Sequence, residues 1–392
     1  MTHTRRALHA FALVLALTLS LVVVPEAGAS GAVYEAPRNI NSKGQKDVTD
    51  QLLKFFAGVP DGSTITFPAG ARYRIEGILH IFDRHDLTFD GNGAEFFATT
   101  DGAEVAPPES DRTFALWPRG RRHWMIDNSE RITLKNMKVQ GANPNAGPWN
   151  GAYVSEYEAQ HGIQFSRSSG LLEGVTVSDT YGDLVSVSEW SHDVTIRNSK
   201  LVRSGRQGIT IDGATDVVIE GNTVGEIGRS LFDLEPSIAN REVHRVRIAN
   251  NQVGRANGAF IAALGRGRVN DVTVRDNKLT GVSMSAHVRA GRDPDGVRTR
   301  RANWVIIDNV SDKPSGSPQA MMRFWGVDGV TVSGNSQPIA TTQSRKAVET
   351  WESCNVVATP NQWVPYTPVG KEPQPLIPLT TDGYETTAAC AG

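Results

Sequence analysis

Between about Pro60 and Pro338 the chain is built from short stretches in which β-branched or other apolar residues alternate with polar ones, each stretch ending at Asn or Gly. Ile132-Thr-Leu-Lys-Asn136-Met-Lys-Val, Val194-Thr-Ile-Arg-Asn198-Ser-Lys-Leu, Val217-Val-Ile-Glu-Gly-Asn222-Thr-Val and Val246-Arg-Ile-Ala-Asn-Asn251-Gln-Val carry the pattern. Val272-Thr-Val-Arg-Asp-Asn277-Lys-Leu continues it, and weaker copies reach Asn309 and Asn335. A period of two predicts strands with Val, Ile and Leu turned inward and Thr, Lys, Arg or Glu outward. The units recur every ~23 to 30 residues, which predicts a β-solenoid in which each unit buries its apolar face against its neighbours. The Asn at each bend tolerates left-handed backbone and can bond to adjacent backbone, so the series is read as one internal asparagine ladder.

Aligning the units on their first strand gives inward pairs Ile163/Phe165, Val185/Val187, Ile209/Ile211, Phe232/Leu234 and Ala259/Ile261, then Ala286/Val288 and Met322/Phe324. The outward residues are then Gln164/Ser166, Ser186/Ser188, Thr210/Asp212, Asp233/Glu235, Phe260/Ala262, His287/Arg289 and Arg323/Trp325, preceded by Met125/Asp127. This face changes from hydroxylated, through acidic, to basic and aromatic.

The ends differ from the middle. Arg5 and Arg6 precede an apolar run from Ala10 to Val24 and then Ala27-Gly28-Ala29, the layout of a secretory signal peptide over residues 1–29; the paired arginines leave twin-arginine export open. The expected product is secreted and extracellular. Residues 30–59 are expected to cap the N-terminal end, with helical spacing from Asp47 to Ala57, residues 60–340 to form the solenoid, and the Pro-rich tail 341–392 to close the other end. The two cysteines, Cys354 and Cys390, both lie near the C-terminus and are expected to form a disulfide that fastens this tail. With 40 basic against 42 acidic residues and no basic run, nucleic acid is not an expected partner. No later segment suits a membrane span, and a monomer acting on an extracellular polysaccharide is expected.

The repeat, together with Leu87-Thr-Phe-Asp-Gly91-Asn-Gly-Ala-Glu-Phe as an opening coil, resembles the pectin-lyase-like superfamily. The resemblance covers roughly residues 45 to 340 and implies an all-β, single-domain right-handed parallel β-helix. Ser178-Asp179-Thr-Tyr181-Gly-Asp183 loosely resembles the paired-aspartate strand of polygalacturonases, and Ser204-Gly-Arg206-Gln207-Gly their basic turn, without the adjacent Asp-Asp and His-Gly dipeptides.

Asp212, Asp233 and Glu235 are the candidate catalytic residues, because carboxyls on adjacent strands raise one another's pKa and glycoside hydrolysis needs one acid beside one carboxylate. Asp183, Arg206, Gln207, Tyr181, His287, Arg289, Arg323 and Trp325 are the candidate substrate-binding residues. Arg206 either orients a carboxylate or holds an acidic sugar, or it forms a turn salt bridge with Asp183. His161, His244 and His287 are candidates for proton transfer, and Trp124 and Trp190 for sugar stacking. Three readings follow: a hydrolase needing no cofactor; a lyase or epimerase on a uronic-acid polymer, with Arg206 or another base and room for Ca²⁺ held by the acids; and a non-catalytic glycan-binding solenoid.

Overall fold

The computed structural model describes residues 31–108, 120–292, 295–296, 298–315, 319–340 and 345–382. The signal segment and Cys390 lie outside these residues, and with Cys390 the expected pairing to Cys354.

The chain winds through successive coils, each laying short strands on three faces. One face stacks Leu79–Phe82, Trp124–Asp127, Ile163–Ser166, Val185–Arg197, Ile209–Glu220 and Phe232–Leu234 in order. Ile261–Ala263, Ala286–Arg289, Met322–Trp325 and Arg345–Trp351 continue it. The long strands Val185–Arg197 and Ile209–Glu220 turn the corner onto a second face, which joins the two into a sheet of 21 strands; the third face is a separate sheet of 12. Strand pairs in both sheets are parallel, and Gly291–Arg292 with Arg298–Thr299 form a small antiparallel ribbon.

Alternation fills the interior. Ile163, Val185, Ile209, Phe232, Ile261, Ala286 and Met322 follow one another in register, and all are buried. The helix Thr49–Ala57 sets Leu52 and Phe56 on the first coils, where Phe56 lies edge-on to Phe89 and stacks on Trp124. Its start is tied by Asp47 Oδ1, which accepts from the Thr49 amide at 3.0 Å and hydroxyl at 2.6 Å.

The bend asparagines divide into two series where one was expected. Asn222, Asn251, Asn277, Asn309, Asn335 and Asn361 form a buried ladder: the Asn277 side chain accepts from the Asn251 amide at 3.0 Å and side chain at 2.9 Å, and donates to Ile248 O at 3.0 Å and Asn309 Oδ1 at 2.9 Å. Asn136 and Asn198 stand one position earlier, with φ of 53° and 51°, where later coils place Gly221, Asn250, Asp276 and Asp308. Left-handed backbone, not the ladder, is what this position asks for. Ser199 takes the ladder place in its coil, its hydroxyl accepting from the Val175 amide at 3.1 Å.

Candidate functional site

The outward face has the expected register through Asp212 and Asp233: Gln164, Ser186, Thr210 and Asp233 are successive partners, as are Ser166, Ser188 and Asp212. It slips by two at the next coil. Phe232 pairs with Ile261 and Asp233 with Ala262, so Ile261 and Ala263 point inward. Phe260, expected outside, is 1 % exposed and packs edge-on against Phe232 at 5.7 Å. The all-apolar run Ala259-Phe-Ile-Ala-Ala-Leu264 gives alternation no phase.

Asp183 anchors the centre of the site. It is fully buried; Arg206 Nη1 donates to its oxygens at 3.0 and 2.9 Å, and the Gln207 amide donates at 3.0 Å. Burial opposes its ionisation, yet Arg206 and His161 outweigh that and hold its carboxyl below the ordinary range. Burial likewise works against the charge on Arg206, but Asp183, Glu235 and Asp233 raise its pKa, so Arg206 keeps its proton and cannot serve as the base considered above. His161 Nδ1 accepts from the Asp183 amide at 3.2 Å and lies 3.3 Å from Asp183 Oδ2, and burial drives this ring down to about 4, so it is neutral at pH 7.

Asp212 sits at the end of a row of alternating charges along the solenoid. Its oxygens accept from the Ser237 amide at 2.7 Å, the Ser237 hydroxyl at 2.9 Å and Arg241. Arg241 also faces Glu189 at 3.5 Å, Glu189 meets Arg167, Arg167 meets the fully buried Asp127, and His80 closes the row 3.3 Å from Asp127. Glu189 and Trp190 occupy a bulge, both with left-handed backbone (φ 54° and 64°), where the strand carries one residue more than its neighbour between Ser188 and Ser191. The bulge turns Glu189 into the site at 3 % exposure and leaves Trp190 outside, 51 % exposed, beneath the Arg241 guanidinium at 5.6 Å. Glu189, Arg241 and Arg167 escaped the sequence reading; the one-residue surplus in this coil is a signal for Glu189 alone.

Asp233 and Glu235 lie two residues apart on one strand and its exit. Gln207 Nε2 donates to Asp233 Oδ2 at 2.5 Å, whereas Asp233 Oδ1 is buried without a hydrogen-bond partner. Burial first, then Glu235, raises the Asp233 pKa well above the ordinary carboxylate range. Glu235 is more open, 38 % exposed at its side chain and 3.4 Å from Arg206 Nη2; burial raises its pKa while Arg206 pulls the other way. Two pockets meet here. One of about 310 Å³ is lined by Asp183, His161, Asp212, Glu189 and Arg241; the other, of about 560 Å³, by Asp233, Gln207, Arg229, Tyr153 and Trp149. Arg206, Glu235 and Glu158 border both.

The other expected residues lie elsewhere. Tyr181 packs edge-on to Tyr157 at 4.9 Å and borders neither pocket. His287, Arg289, Arg323 and Trp325 make a separate group: His287 is one coil beyond Ala262, its Nε2 3.2 Å from Arg323, and Trp325 Nε1 donates to Glu352 at 3.2 Å. The carbonyl of Arg289 accepts from the buried Arg301 at 2.6 Å. His244 pairs with Asp271 at 3.0 Å, and Trp124 is core. Among the described residues no cluster of three or more His, Cys, Asp or Glu is arranged to hold a metal, and no helix is long and apolar enough to cross a membrane.

Residues 125–293 match the family model for the right-handed beta helix region. A search of curated proteins finds no sequence relative. Among solved structures, the fold resembles DFA-IIIase of Arthrobacter chlorophenolicus in complex with GF2 (TM-score 0.58, 15 % identity, 92 % of this chain and 93 % of that one). It also resembles the family 28 exopolygalacturonase of Yersinia enterocolitica (TM-score 0.55, 10 % identity, 88 % and 79 %). PfbA, a surface adhesin of Streptococcus pneumoniae, is similar as well (TM-score 0.51, 12 % identity, 87 % and 95 %).

Proposed function

Since the chain is by fold a member of the pectin-lyase-like superfamily of right-handed parallel β-helices, we propose that it is a secreted glycoside hydrolase in which Asp233 is the proton donor and Glu235 its carboxylate partner. One observation carries the reading: Asp233 lines the pocket, is buried and resists ionisation, and its Oδ1 has no hydrogen-bond partner. A carboxyl held protonated in this way can deliver its proton to a glycosidic oxygen. Gln207, bonded to Oδ2, fixes the orientation of the group and leaves Oδ1 without a protein partner. Glu235, beside the cationic Arg206, is the member of the pair that gives up its proton first.

Same-face positions two residues apart on a strand are separated by roughly 7 Å, which leaves room for a water between carboxyl and sugar and favours inversion of the anomeric centre. Glu235 would take a proton from that water as Asp233 protonates the leaving oxygen. Asp183 acts through Arg206, holding the guanidinium against Glu235, and Asp212 is a positioning residue tied up by Arg241 and Ser237.

The test is to incubate the protein with neutral and uronic polysaccharides and follow new reducing ends, the anomer first formed, and the ultraviolet absorbance of unsaturated uronates. Reducing ends that vanish in Asp233→Asn and Glu235→Gln support the reading. Unsaturated product, or activity surviving both substitutions, overturns it, and silence across the panel moves the weight to glycan binding without turnover.

A further inference from the structure

The segment between strands Lys138–Gln140 and Ile163–Ser166 does not take the short route from one face to the next. It runs along the solenoid axis over the turns of later coils and forms a strap beside the acids. Near its start, Asn143 Nδ2 donates to Thr180 O at 3.2 Å and to Ala152 O at 3.3 Å. The Gly147 amide reaches Ser204 O at 3.2 Å, Arg229 lies over the Tyr153 ring at 4.0 Å, and Asn257 Nδ2 donates to Asn150 Oδ1 at 3.0 Å across 107 residues of sequence. The turns beneath it are kept low: a Cβ on Gly205 would meet Ala152 O at 2.6 Å.

The strap holds Trp149 in a defined place. A Cβ on Gly147 would lie 2.1 to 2.5 Å from the Trp149 ring atoms, so the ring rests on bare backbone. The side chain is nevertheless 44 % exposed, and it lines the same pocket as Asp233 and Glu235. An immobilised indole with one free face beside hydrogen-bonding side chains is a surface for the apolar face of a sugar ring.

We propose that this pocket, distinct from the pocket on the Asp212 side, is a sugar subsite in which a neutral sugar ring stacks on Trp149 while Asn257 and Glu158 meet its hydroxyls, the glycosidic bond lying over the wall formed by Glu235 and Arg206. The proposal rests on the hydrolase reading for the placement of the bond. A neutral ring fits because Glu235 and Glu158 line this pocket and Asp183 lies close behind Arg206; a uronate would add a fourth carboxylate to these three. Arg206 offers it little compensation, being committed to Asp183, and Arg229, the other cation of the lining, is stacked on the Tyr153 ring.

The test titrates the protein with maltotriose, laminaritriose, kestose and trigalacturonic acid and follows tryptophan fluorescence in wild type and Trp149→Phe. A saturable change with at least one neutral trisaccharide, absent from Trp149→Phe, is expected; the same change in both proteins, a change with trigalacturonic acid alone, or no change with any sugar overturns the proposal. On any polysaccharide the wild type cleaves, Trp149→Ala is expected to raise KM about tenfold while kcat stays within about twofold. An unchanged KM sinks the subsite and leaves the hydrolase standing. Trp149-dependent binding without cleavage of any substrate sinks the hydrolase and leaves the subsite.

Discussion

Replacing Asn277 by Ala tests whether the asparagine ladder holds the coils together or merely decorates them. Asn277 is 1 % exposed, and its side chain makes four hydrogen bonds, two accepted and two donated. The Asn251 side chain keeps its bond to Ile219 O at 3.1 Å, and Asn309 Oδ1 keeps the Asn277 amide at 3.0 Å, so neither is stranded. The Asn251 amide loses its partner inside a dry core, while the Ile248 carbonyl keeps the sheet bond of its paired strand. At about 1 to 3 kcal/mol for a buried group left unmade, the substitution costs about 1 to 3 kcal/mol. Asn361, at the partly buried end of the ladder, provides the control, because water can replace its lost partners; Asn361→Ala is expected to cost less than half as much. The assay is urea unfolding followed by circular dichroism, comparing midpoints at unchanged slope. An Asn277→Ala cost below about 1 kcal/mol, or equal costs at the two positions, refutes the reasoning.

Other perturbations address the site. Asp233→Asn is expected to lower kcat by about 10²- to 10⁴-fold with the fold intact, measured as reducing ends released; a loss under tenfold removes Asp233 from the donor role. Glu235 is one cause of the raised Asp233 pKa, so Glu235→Gln is expected to bring the alkaline limb of any residual activity to lower pH, and a limb that stays put contradicts the coupling. His161 falls from 6.5 unfolded to about 4 folded, so the unfolded chain binds more protons between those values and stability declines as pH drops through that window. His161→Gln is expected to shrink the stability difference between pH 7 and pH 4.5 by about 2 kcal/mol; equal differences in the two proteins count against it. Gly205→Ala presses a methyl onto Ala152 O and is expected to cost about 1 to 3 kcal/mol and to raise KM by shifting the strap, whereas an unaltered melting temperature and KM mean the strap is not seated there.

The strand faces were legible because β-branched residues alternate with polar ones and each coil must match its neighbour's register. That legibility failed where its physical basis failed. Ala259 to Leu264 carries no polar residue to mark a face, and the reading slipped there by two positions. Asn136 and Asn198 share a residue type with Asn222 and its successors but serve backbone conformation, and letters alone do not separate the two uses. Asp183, Arg206, Asp233 and Glu235 were visible as outward or turn residues, and the structure brings them together. Their neighbours Glu189 and Arg241 were not, since one depends on a bulge and the other on a connection that folds back over the face. Trp149 depends on a strap whose course is set by contacts with turns far along the chain.

The row from His80 to Asp212 has a consequence for how this protein can change over time. Its internal members each lie between two neighbours of opposite sign, so a change at Arg167 or Glu189 alone takes from the buried charges on either side one of the two that offset their desolvation. Such a row is rewritten in adjacent couples. Across a set of descendants, Arg167 and Glu189 are expected to be kept or lost together, and the bulge that presents Glu189 is expected to disappear from the coil along with them.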